Sequence, residues 1–96
     1  MKVQLIKQIE FSYLLGVGEL YLLVSKVSYD LYTKPNIKIV RVEYRTHKLK
    51  FFDLDSNYPI NCIVVWRDKN NRNKLFETRE HMIIDDLALM DFLSRI

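Results

Sequence analysis

Ninety-six residues, 49% of them apolar and 28% charged, suit one soluble globular domain with room for a core. The formal net charge is +3, and no apolar run approaches the roughly 20 residues that a membrane-spanning helix needs, so no membrane association is expected. A single cysteine, Cys62, excludes an internal disulfide and any metal site built from several thiolates.

The amino terminus, "MKVQLIKQIEF", sets a charged or amide side chain at every second or third position. It has no continuous apolar block of the kind that makes a secretory leader, and a cytoplasmic location is expected. Ala88 is the one alanine, while isoleucine, asparagine and lysine are abundant, as in proteins of AT-rich genomes, small viral and plasmid-borne ones among them.

Along the chain, Val3, Leu5, Ile9, Phe11 and Tyr13 share one parity, and Lys2, Gln4, Gln8, Glu10 and Ser12 the other, with Lys7 and Ile6 the one exception on each. That period of two predicts a first strand over residues 3–13. "LLGVGEL" follows, and as a phosphate loop it fails: the dinucleotide fingerprint needs a third glycine where Tyr21 stands, and the Walker pattern needs a glycine-lysine pair. It is read instead as a hairpin reversal near Gly16–Gly18, with residues 20–30 returning as an antiparallel partner. Valines and tyrosines favour a strand there, although Leu20, Leu23, Val24, Val27 and Leu31 also fit one face of a helix.

"NIKIVRVEY" (36–44) changes parity near Ile39, which a bulge would explain. "RTHK" is a turn and "LKFFDLD" (49–55) a return strand. "INCIVVW" (60–66), apolar on both parities, is the candidate for the most central strand. "RDKNNRNK" is the most turn-like segment, "LFETREHMI" (75–83) alternates again, and Asp85 is a plausible N-cap for an amphipathic helix over 86–96 carrying Leu89, Phe92, Leu93 and Ile96.

The expected architecture is mainly β, of the α+β kind. About six mostly antiparallel strands form a sheet or a partly open barrel in a single domain, with a C-terminal amphipathic helix. The alternative is a β-α-β-β-β-β-α order with a helix at 19–32.

Signals for catalysis are poor. Asp53 and Asp55 would point to one side of a strand, as metal-binding carboxylates do, but they run into "SNYP", where aspartate commonly forms turns. Asp68 and Glu77 miss the spacing, or the lysine, of a restriction-type nuclease. His47 and His81 stand apart from one another. A metal-independent ribonuclease built on His47, Arg45 and Lys48 is permitted rather than argued for. No cofactor and no metal is expected.

Charge placement says more. Between residues 34 and 50, six cations (Lys34, Lys38, Arg41, Arg45, Lys48 and Lys50) face one carboxylate, Glu43. A second cluster, Arg67, Lys69, Arg72, Lys74 and Arg79, is partly offset by acids, and Asp85, Asp86 and Asp91 gather on the terminal helix. Two functions from different classes follow. The first is a non-catalytic adaptor or inhibitor, viral or plasmid-like in composition, that covers a surface of a partner, expected to be a protein. The second is an RNA or single-stranded DNA binding module that tracks phosphates along the 34–50 hairpin, with Tyr44, Phe51 or Tyr32 for base stacking. Against the second stands the ordinary use of lysine and arginine to keep edge strands soluble.

Overall fold

The computed structural model describes residues 1–45 and 60–96. The elements run β1 (Val3–Ile9), β2 (Ser12–Val17), β3 (Leu20–Ser25), α1 (Lys26–Tyr32), β4 (Ile37–Tyr44), β5 (Ile60–Asp68), β6 (Leu75–Ile83) and α2 (Asp86–Ser94). The six strands form one open antiparallel sheet in the order β1-β2-β3-β6-β5-β4. It is two three-stranded meanders joined over a short seam, where Tyr21, Leu22 and Leu23 pair with Ile83, Met82 and His81.

The expected fold class holds, with different boundaries. The single first strand expected over 3–13 is instead a hairpin: Ile9 pairs with Ser12 across a two-residue turn at Glu10 and Phe11. Alternation that runs on from Gln8 to Tyr13 concealed the reversal because no glycine marks it, and Glu10 itself takes the positive φ, 53°. The glycine reversal is real but later. Val17 pairs with Leu20 across Gly18 and Glu19, with Gly18 at φ 60°, while Gly16 lies inside β2.

Residues 20–30 likewise divide into a strand and a helix, so each of the two sequence readings holds for part of the segment. Ser25 caps α1 by accepting a hydrogen bond from the Ser28 amide at 3.3 Å, and Lys26 pairs with Asp30 one turn on. The apparent alternation of Val27, Tyr29 and Leu31 arises from a helix that exposes Val27, stacks Tyr29 on Tyr13 and buries Tyr32. Pro35 lies just past the helix end, in keeping with the bias against helix before proline.

The two faces of the sheet differ. On the first face, Leu15, Val17, Leu22, Val24, Ile39, Cys62, Val64 and Met82 form the main core, closed by Tyr32 of α1. The sheet curls towards this face. The Met1 ammonium, just ahead of edge strand β1, donates to the Ile39 carbonyl of the opposite edge strand β4 at 2.9 Å.

On the second face, Leu14, Ile83 and Ala88 make a smaller core between the sheet and α2. Asp85 caps α2 by accepting from the Ala88 amide at 2.8 Å, and the Tyr21 hydroxyl donates to Asp86, tying the helix to β3. The helix ends at Ser94, short of the expected 96.

The bulge expected near Ile39 is present: the β4–β5 register shifts between Ile39 and Arg41. Strand β5 is interior, between β4 and β6, while the middle of the sheet is the β3–β6 pair rather than "INCIVVW". The return strand expected at 49–55 lies outside the described residues.

Candidate binding surfaces

The bulge decides which cations share a side. By parity alone Lys38 and Arg41 would face opposite ways. With Val40 bulged, Lys38 stands opposite Arg67 and Arg41 opposite Val65, so both project from the second face. Tyr44, opposite Cys62, belongs to the first face, away from them. Arg41 is engaged by Glu43 at 2.8 Å. Arg45 follows the end of β4 and is exposed. Lys48, Lys50, His47, Phe51, Asp53 and Asp55 lie outside the described residues. Tyr32 is buried with its hydroxyl donated to Glu80 at 2.5 Å, which removes its ring from any base-stacking role.

Of the described 34–50 cations, Lys34 and Lys38 lie at the end of the sheet that carries most of the second basic cluster, whereas Arg41 is mid-strand and Arg45 follows the other end of β4. Asn36 makes the joint. Its side-chain amide donates to Asp68 Oδ1 at 3.1 Å, and its carbonyl accepts from the Lys69 amide at 2.8 Å. The same Asp68 oxygen accepts from the Asn70 amide at 2.9 Å. That hydrogen bond, the Asn36 amide and nearby Lys34 hold the Asp68 carboxyl below its ordinary range.

Lys34 and Lys38, two residues either side of Asn36, thus lie at the same end of the sheet as the β5–β6 hairpin with its Arg67, Lys69, Arg72 and Lys74, and Lys38 stands opposite Arg67. Next to this tip Trp66 and Phe76 stack, with ring centroids 4.5 Å apart, and the Lys74 ammonium sits 4.9 Å above Phe76.

A buried polar line runs behind the aromatic pair. Trp66 Nε1 donates to Thr78 Oγ1 at 2.8 Å, and Tyr32 donates to Glu80, which is only 8% exposed. Burial first, and then the Glu80 hydrogen bond, raise the Tyr32 hydroxyl above its ordinary pKa. Burial, and then the charge of Glu80, push the Cys62 thiol up to about 11. The sequence held one signal for this line: Glu80 shares its parity with Phe76, Thr78 and Met82, the inward side of β6.

The third surface is the outer side of α2. Its inner residues Ala88, Leu89, Phe92 and Leu93 pack on the small core, whereas Leu87 and Met90 are 78% and 68% exposed. They are three residues apart and so lie on one helical face. No helix of the described residues is long and apolar enough to cross a membrane.

Compared with known protein families, curated proteins and solved structures, the chain matches none. The geometry alone carries the functional argument.

Proposed function

We propose that this chain is a non-catalytic binding protein, an adaptor or inhibitor that acts by covering a surface of a protein partner. The observation that carries this reading is the outward apolar pair of α2. A helix whose inner side already fills a core gains nothing within the fold from Leu87 and Met90, and exposed apolar side chains set side by side are the usual anchors of protein interfaces. Carboxylates frame the pair, with Asp86 bound to Tyr21 and Asp91 paired with Arg95. A partner with an apolar recess and a basic rim fits that frame.

The groups with shifted proton affinity support the non-catalytic part of the reading, because each has a structural task. Among the described residues, Tyr32 and Cys62 belong to the core, Asp68 to a turn, Tyr21 to the attachment of α2 and Lys26 to its pair with Asp30 along α1.

A photo-crosslinking residue placed at 87 or 90, in the cells that make the protein, should capture one discrete protein species. The same residue at 7 or 26, distant in sequence and exposed, should not. Equal capture from all four positions, or capture only of a second copy of the chain, would remove this reading.

A further inference from the structure

The cationic tip at the other end of β6 is a separate surface, roughly 30 Å from the start of α2 by the rise of a nine-residue strand. Its construction is unfavourable for the isolated protein. Lys38 and Arg67 stand directly opposite each other on neighbouring strands, a cross-strand pairing of like charges that costs stability.

Among the described residues, ion pairs join Lys26 to Asp30, Arg41 to Glu43 and Arg95 to Asp91, and none of them draws on Lys34, Lys38, Arg67, Lys69, Arg72 or Lys74. The one carboxylate of the tip, Asp68, spends an oxygen on two hydrogen bonds that rigidify the turn. Asn36 and Asp68 thereby fix the join between the two basic segments, and among the described residues these cations have no ion-pair partner.

We propose that this tip is a phosphate-binding site for single-stranded nucleic acid. The six cations track the backbone around the end of the sheet, with Lys38 and Arg67 on its second face, and Phe76, opposite Trp66 on the first face, offers a ring to a base. The ring already stacks on Trp66 through one side and is reached over a face by the flexible Lys74 side chain. A base on that face releases the Lys74 ammonium to a phosphate, so stacking and charge neutralisation act together. The aromatic ring is what distinguishes this site from a general anion-binding patch, since a sulfated polysaccharide has no flat ring to place there.

The test is a titration of the whole chain with twelve-residue oligo-uridine and oligo-thymidine at several salt concentrations. If about four phosphates are neutralised, log affinity falls against log salt with a slope of about −2.8. K38A/R67A should reduce the magnitude by about 1.4 while leaving the thermal midpoint unchanged or raised, because a like-charge pair is removed. K7A/K26A, which removes the same charge elsewhere, should leave the slope as it was.

Phe76→Leu should weaken the oligonucleotide by about tenfold and leave heparin unaffected. Binding that vanishes by about 150 mM salt, an equal change of slope in K7A/K26A, or equal effects of Phe76→Leu on heparin and oligonucleotide would each overturn the assignment. Leu87→Asp should not alter the titration, so the two surfaces stand or fall separately.

Discussion

The two meanders of the sheet are alike in connectivity and opposite in what their second face carries. In β1–β2–β3 that face meets α2, and strand β2 is accordingly apolar on both parities, with Leu14 and Leu15 both fully buried on opposite sides. In β4–β5–β6 the same face carries Lys38, Arg41, Glu43, Arg67, Glu77 and Arg79 around the half-buried Ile63 and the fully buried Val65. Strand β6 records the change within its own length. From Leu75 to His81 buried or half-buried residues alternate with exposed ones, and then Met82 and Ile83 are both buried where α2 packs. Alternation marks a stretch covered on one face and a continuous apolar run a stretch covered on both.

Cavity formation gives the largest expected effect and the most direct way to break this comparison. Leu14→Ala and Leu15→Ala should each cost about 2–5 kcal/mol in urea unfolding. Ile63, on the second face of the other meander between Glu43 and Arg79, is only half-buried, and Ile63→Ala should cost clearly less. If Ile63→Ala proves as costly as Leu14→Ala, the second meander is covered as fully as the first.

The buried polar line sharpens the contrast from the other face, where both meanders share one core. Tyr32→Phe leaves Glu80 buried without its hydroxyl partner and should cost about 1–3 kcal/mol. Cys62 adds a pH dependence of known sign. Its thiol loses its proton at about 11 in the folded protein against an ordinary 9.0, so the folded state is the one that favours the protonated form. The stabilisation is complete below about pH 9 and is lost as the pH climbs towards 11. Unfolding midpoints measured across pH 8–11 should therefore fall less steeply in Cys62→Ala than in the parent protein. Parallel slopes would show that the thiol is not held in the core.

Several features were legible in the residues themselves, and the reasons are local. The β4 bulge showed as a parity change at Ile39, and Asp85 announced α2 because an N-cap acts through its own side chain. The misplaced boundaries have local and tertiary causes that short-range alternation does not show. Val27, Tyr29 and Leu31 alternate, yet Ser25 capping, the Lys26–Asp30 pair and the burial of Tyr32 against β6 decide for helix.

The basic tip was visible only as two clusters. Residues 34–38 and 67–74 are brought together by hydrogen bonds from Asn36 to Asp68 and from Lys69 to Asn36, and no short-range pattern encodes that join. The bulge then decides which cations face the same way, which parity alone would have assigned incorrectly.

The smallest effects concern the turns, where the first meander contains its own control. Both of its two-residue turns place a positive φ on their first residue, Glu10 in one and Gly18 in the other. A side chain in that conformation crowds its own backbone and costs roughly 1 kcal/mol, a penalty glycine avoids, although glycine also gives up more freedom on folding. Glu10→Gly should thus stabilise the protein by up to about 1 kcal/mol. Gly18→Ala should destabilise it by about the same, and a Cβ there would also lie 2.8 Å from the Met1 methyl, the movable end of a flexible side chain. Gly16, inside β2 with Ile6 Cδ1 at 3.3 Å from a would-be Cβ, has no such backbone requirement, and Gly16→Ala tests packing alone. Thermal melts of the three variants should order Glu10→Gly above the parent and Gly18→Ala below it. A Glu10→Gly protein that melts lower would mean that the reversal at Glu10 and Phe11 is not the turn that pairs Ile9 with Ser12.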